Sequence, residues 1–166
     1  MGLIVFTDKI NSGKSSIILE LSEKTKIFEG FIQLKHKSKR FIKFLNKGNL
    51  IEFTCEPDEG FEVLEIGNYL FKMDIFDLLN TYIIDSTKCL SNSYFVIDEW
   101  GLLEKNGLGL NKSIKYLIEG NWYKKFNYII IVRDWLYNDF LTIYNLDEAN
   151  ILKYNTQSII KVLNNC

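Results

Sequence analysis

Apolar positions gather in short unbroken runs at three places: Leu3-Ile4-Val5-Phe6, Tyr94-Phe95-Val96-Ile97 and Tyr128-Ile129-Ile130-Ile131-Val132. Runs this short, without alternation, predict strands covered on both faces, as in a parallel sheet. Between them the period changes. Ile17, Ile18 and Leu21 recur at helical spacing and predict a first helix from Lys14 to about Lys24. Ile75, Leu78, Leu79, Tyr82 and Ile83 mark one face of a second helix, which Asp74 can cap and which runs to about Lys88. Further helices are predicted from Asn111 to Glu119, near Asp134, and from Thr156. A last strand is expected from Asn150 to Lys153, and the second long run is expected to stop at Asp98-Glu99.

The stretch from Ile27 to Phe71 has another texture. Phe31-Ile32, Phe41-Ile42-Lys43-Phe44, Leu50-Ile51-Glu52-Phe53 and Tyr69-Leu70-Phe71 alternate with turn signals. Asn46-Lys47-Gly48-Asn49 and Pro57-Asp58-Glu59-Gly60 suggest hairpins, so this stretch is expected to be antiparallel. With no repeat or low-complexity linker, the pattern predicts one α/β domain over residues 1–166, carrying a β-rich insertion at about 27–73.

Composition narrows the classes. A chain of 166 residues can bury about 70 % of its unfolded surface in one core. Its 47 % hydrophobic and 25 % charged content is that of a soluble globular protein. The net charge of −1 gives no support for nucleic-acid binding, which favours basic chains. The local stretch Lys35-His36-Lys37-Ser38-Lys39-Arg40 reads as a solvated hairpin turn in preference to a phosphate- or RNA-contacting patch. No apolar segment is long enough to span a bilayer, and no signal-peptide pattern opens the chain. Cys55, Cys89 and Cys166 are isolated and His36 is the sole histidine, so neither zinc nor a disulfide framework is expected. These features predict a cytoplasmic protein with reduced thiols, acting as a monomer.

The chemistry begins where the first run ends. Asp8-Lys9-Ile10-Asn11-Ser12-Gly13-Lys14-Ser15 lies between a predicted strand and a predicted helix. That is a phosphate-binding loop of the form G-x-x-x-x-G-K-[ST], with Asp8 at the place of the first glycine. Residues from Asp8 to Ser16 would cradle phosphates. The loop amides from Lys9 to Gly13 and the first turn of the helix converge on an anion, Lys14 reaches the β- and γ-phosphates, and Ser15 ligates Mg²⁺. A carboxylate about 5 Å from a phosphate charge is repelled by roughly 3 kcal/mol at an effective dielectric near 20. Asp8 is therefore expected to point away from the ligand and to bond to nearby amides.

The second half of the site is Asp98-Glu99 at the end of an apolar run. Asp98 can hold Mg²⁺ directly or through water, and Glu99 can orient or deprotonate the attacking water. Arg133, after the third run, can stabilise developing charge or form a structural ion pair. Trp100, Trp122 and Tyr123 could stack on a base, with core packing the default for each.

With both motifs in hand, most of the chain resembles the THEP-type nucleoside-triphosphatase family. The resemblance includes Thr7, Gly13-Lys14-Ser15, Gly30-Phe31 and Ile66-Gly67-Asn68-Tyr69. Its most specific stretch is Ile97-Asp98-Glu99-Trp100-Gly101-Leu102-Leu103-Glu104, similar to the family's D-E-x-G-x-x-E, followed by Gly107, Gly109 and Val132-Arg133-Asp134. Asp8 stands where the family has glycine. Asn155-Thr156 stands where many members have Asn-Arg, which removes an arginine able to contact base or phosphate. The resemblance implies a three-layer α/β P-loop fold with a mainly parallel central sheet. It also implies slow, Mg²⁺-dependent hydrolysis of nucleoside triphosphates such as ATP and GTP, with loose base selectivity. From the residues alone a kinase with a second acceptor, or a nucleotide-binding regulator with negligible turnover, stays open.

Overall fold

The computed structural model describes residues 2–89 and 93–163. Its frame is a sheet in which β1 (Gly2–Asp8), β2 (Phe28–His36), β8 (Tyr94–Trp100), β9 (Asn127–Arg133) and β10 (Ile151–Tyr154) all run parallel, in the order β10-β1-β9-β8-β2. β3 (Lys39–Phe44) and β4 (Leu50–Glu52) extend the β2 edge in antiparallel fashion. A second sheet, β5 (Thr54–Cys55), β6 (Val63–Ile66) and β7 (Tyr69–Lys72), has the order β5-β7-β6 and is antiparallel.

Alternation along the central strands divides the core. Ile4 and Phe6 of β1, Val96 of β8 and Ile129 and Ile131 of β9 pack on one face with Ile18 and Leu21 of α1 (Lys14–Lys24) and Ile159 of α6 (Thr156–Leu163). Leu3, Val5, Phe95, Ile97, Tyr128, Ile130 and Val132 point the other way. They meet α2 (Met73–Cys89), α4 (Asn111–Glu119) and α5 (Tyr137–Ile143). A short helix, α3 (Leu102–Lys105), follows β8 directly. Helices on both faces are what a parallel sheet needs, because each strand in it is apolar on both sides.

Several expectations change in detail. The antiparallel reading of the early β-rich stretch holds from β3 onward; β2 pairs parallel with β8 and belongs to the central sheet. Asn46 to Asn49 does turn β3 into β4, but Pro57–Glu59 forms a short 3₁₀ turn linking two strands that both pair with β7. The hairpin lies later, at Gly67-Asn68 between β6 and β7. α2 begins at Met73, so Asp74 sits inside its first turn and does not cap it. Leu78 is exposed while Ile75, Leu79 and Ile83 are buried. β8 does not stop at the acidic pair. Asp98 pairs with Ile131 and Trp100 with Val132, leaving Glu99 as a bulge. Cys55 is buried with a free thiol; the Cys89 side chain and Cys166 lie outside the described residues. Among the described residues no helix is long and apolar enough to cross a membrane.

Candidate functional site

β1 ends at the carboxyl edge of the sheet and its chain turns into α1 through Asp8 to Gly13. Gly13 makes that turn in the left-handed region, at φ 84°, where a β-carbon is penalised. The first-turn amides of α1 have no partner within the helix and face the loop. Residues from Ile10 to Ser16 line a polar cavity of about 590 Å³, together with Gln33, Lys35, Arg40, Asp98, Glu99 and Arg133. The structure thus brings the predicted loop, both acids and Arg133 into one cleft.

Two loop residues are turned elsewhere. One oxygen of Asp8 accepts from the Lys9 amide at 2.8 Å and the other from the Thr156 amide at 3.1 Å. The carboxylate therefore caps the start of α6, where Asn155 also accepts from Ser158 N at 2.9 Å. The Thr156 side chain, the Thr156 amide and the Lys9 amide hold the Asp8 carboxyl below its usual range. Asp8 and Lys9 do not line the cavity. The Lys9 carbonyl, with that of Asp8, instead accepts from Lys14 Nζ, at 3.0 and 2.8 Å. The Ser12 amide likewise bonds inside the loop, to Lys9 O at 3.2 Å. The Ser12 hydroxyl is buried and makes no hydrogen bond, an acceptor-seeking group on the cavity wall.

Across the cleft, Ser15 Oγ donates to Asp98 Oδ2 at 2.6 Å. The same carboxylate oxygen accepts from the Gln33 amide at 3.0 Å, and the Gln33 side chain donates to Asp98 O at 3.2 Å. Asp98 is only 2 % exposed. Burial, and then the charge of Glu99, push its carboxyl up to about 7 against the pull of Ser15, Gln33 and Lys14.

The bulge explains how adjacent acids take different places. Val96 and Ile97 face opposite sides of the sheet, and Trp100 packs on the Ile97 side. An unbroken strand would put Trp100 on the Val96 side; the extra residue shifts the alternation by one. Glu99, held outside the ladder, turns to Arg133 at the end of β9. Its Oε1 accepts from Arg133 Nε at 2.9 Å and from a terminal guanidinium nitrogen.

The remaining motif is a brace. Glu104, 4 % exposed, accepts from Gly101 N at 2.9 Å and Leu110 N at 3.0 Å. Desolvation raises its carboxyl. A β-carbon on Gly109, at φ +58°, would lie 2.3 Å from Glu104 Oε1, which is why glycine sits there. The aromatic candidates are elsewhere. Trp100 is fully buried and donates to Tyr144 OH at 2.9 Å. Trp122 stacks with Tyr116 and Phe126, and Tyr123 is buried.

Sequence reasoning passed over Gln33, whose signal was a single amide inside the run Phe31-Ile32-Gln33-Leu34. It also set aside the basic stretch. The hairpin turn is there, between β2 and β3, yet Lys35 and Arg40 on its two strands line the polar cavity.

No protein-family model matches the chain, and no curated protein matches it. Solved structures do. The chain is similar to THEP1 from the hyperthermophile Aquifex aeolicus, with a TM-score of 0.69 and 15 % identity over 98 % of this chain and 95 % of that one. It is also similar to a human cancer-related nucleoside triphosphatase, with a TM-score of 0.66 and 15 % identity over 99 % and 95 % of the two chains. At this identity the likeness is one of fold, and the chain has the α/β P-loop fold of these proteins.

Proposed function

We propose that the chain binds a nucleoside triphosphate in the polar cavity and hydrolyses its β–γ bond in a Mg²⁺-dependent reaction. The observation that carries this reading is the 2.6 Å bond between Ser15 and Asp98. It joins the loop that would hold phosphate to the acid that would face the metal. The human nucleoside triphosphatase that shares the fold supports the same class of reaction.

The donors suit the ligand. The α1 amides, Lys14 and the unpartnered Ser12 hydroxyl offer an anion several hydrogen bonds. Lys14 would exchange its two carbonyl partners for phosphate oxygens. Ser15 and Asp98 present hard oxygen atoms side by side, a set that fits Mg²⁺ when phosphate and water complete it. When bound there, the ion would neutralise charge on the transferring phosphoryl group. Glu99, fixed by Arg133, would orient water and take its proton, and Arg133 would add positive charge beside the γ-phosphate. Slow turnover, loose choice between ATP, GTP and other bases, and a monomeric cytoplasmic protein without nucleic-acid partners belong to the same proposal.

Phosphate release from a panel of nucleoside triphosphates, with and without Mg²⁺, tests the reaction. Glu99→Gln should lower hydrolysis by roughly 10²–10⁴-fold with affinity unchanged, and Lys14→Ala should weaken binding itself. Wild-type turnover in a folded Glu99→Gln variant would overturn the assignment of the base.

A further inference from the structure

The polar cavity abuts a second chamber of different character. It measures about 180 Å³ and its walls include Phe53, Tyr69, Phe71 and Phe76. Phe53 packs edge-on against both Phe71 and Phe76, with ring centroids 4.8 Å apart in each pair. Gln33, Arg40, Glu99 and Arg133 line both spaces. None of the loop residues from Ile10 to Ser16 lines the aromatic one. A triphosphate held by the loop with its γ-phosphate toward Asp98 and Glu99 thus has the aromatic chamber on the far side of its reacting end.

Hydrolysis has no use for such a chamber, since water beside Glu99 is enough. The dimensions say what would fit. An apolar cavity of about 150 Å³ takes up benzene, so this one has room for a single six-membered ring. Arg40 adds a polar requirement at the boundary. Its guanidinium lies 5.0 Å from the Tyr69 ring centroid, and its Nε is buried without a hydrogen bond. Arg40 is half-buried, and this nitrogen offers an anionic acceptor a charge-assisted hydrogen bond.

We propose that the chamber is a phosphoryl-acceptor site for a small one-ring aromatic alcohol carrying a carboxylate or similar anion. The inference rests on the nucleotide site proposed above and replaces water there with a second substrate. The ring lies among the four aromatics, the anion meets Arg40, and the hydroxyl faces Glu99. The hydroxyl oxygen bonds to the γ-phosphorus while the bond from that phosphorus to the β–γ bridging oxygen breaks. The nucleoside diphosphate leaves with that electron pair, and the hydroxyl proton passes to Glu99. The products are a phosphomonoester and the diphosphate.

The probe is 3-(hydroxymethyl)benzoate at millimolar concentration with ATP and Mg²⁺, with 3-methylbenzoate as the analogue that cannot react. Phosphorus NMR should show a phosphomonoester with the first and none with the second. Both should shift the ring resonances of Phe53, Tyr69, Phe71 and Phe76. Ile66→Trp fills the chamber from its half-buried wall. It should abolish the phosphomonoester and weaken binding of both probes by at least about tenfold, while acceptor-free hydrolysis stays within about twofold. If that variant does not fold, the ring shifts in the wild-type protein still decide the matter. The proposal falls if neither probe shifts those rings, if they shift without a phosphomonoester, if Ile66→Trp leaves binding unchanged, or if it raises KM for ATP. Hydrolysis without probe binding leaves the triphosphatase reading standing and removes this one. Phosphomonoester formation without acceptor-free hydrolysis does the reverse.

Discussion

Replacing Asp8 separates two accounts of the phosphate loop: a loop impaired by a misplaced acid, and a sound loop whose acid serves another element. The geometry favours the second. Asp8 accepts from Lys9 N and Thr156 N at 2.8 and 3.1 Å and stays off the cavity wall. Asp8→Gly therefore removes a contact at the start of α6. Losing a capping carboxylate costs about 0.5–2 kcal/mol, and the freer glycine backbone adds up to about 1 kcal/mol. A total of about 0.5–3 kcal/mol, at about 2–4 °C per kcal/mol for a chain of this size, lowers Tm by about 1–12 °C. The effect has a pH signature. The folded carboxyl lies below its ordinary 3.8, so its stabilisation is complete above that value and disappears as pH falls through the folded one. Urea unfolding should show the gap between wild type and Asp8→Gly narrowing below about pH 4, toward the backbone contribution that does not titrate, and constant above about pH 5. Turnover should stay within a few-fold. An unchanged Tm would refute the cap, and a hundredfold gain in hydrolysis, about 2.7 kcal/mol of barrier, would show that the native loop is impaired.

Two further predictions concern the brace and the indole relay. Glu104→Gln leaves one of the amides of Gly101 and Leu110 without its acceptor and should cost about 1–3 kcal/mol in urea unfolding. Because burial raises the Glu104 carboxyl above 4.5, wild type loses stability as pH climbs from there through the folded value, and the variant should lack that slope. Tyr144 OH accepts from Trp100 and donates to Asn111 Oδ1 at 2.7 Å. Tyr144→Phe should therefore cost about 1–3 kcal/mol and alter the near-ultraviolet circular dichroism of the buried indole.

What could be read from the sequence follows from how strongly each element depends on its own residues. β1, β9 and the start of β8 are buried on both faces, so their runs announce them; α1 and α4 end where their periodicity ends. β5 has two residues, too few for any pattern, and β6 alternates exposed and half-buried positions on a small sheet. Neither carries a local signal. The parallel pairing of β2 with β8 was hidden for another reason: Phe28 to His36 resembles the antiparallel strands that follow it, and its partner lies far along the chain. At the site, Lys14, Ser15, Asp98 and Glu99 stood out because their residue types serve one chemistry in one order. Gln33 and Arg40 acquire their roles only through contacts across the sheet, and Glu104 only through amides before and after it. Trp100 packs on the Ile97 side of the sheet because a bulge turned it there, which no spacing rule foresees.

That bulge separates architecture from reactivity. With Glu99 taken out, Trp100 would follow Asp98 directly, and plain alternation would still aim the indole at Phe140 and Tyr144. Every partner of the ladder would be kept, and the bond from Ser15 to Asp98 would not be disturbed. The sheet has no mechanical need for the residue proposed to activate the nucleophile. On the proposed function, a shortened chain lacking Glu99 would retain the cradle and lose the proton acceptor, so that one codon would separate binding from hydrolysis. In a lineage descended from such a protein, activity could be lost or regained at this single position without reinventing the fold around it.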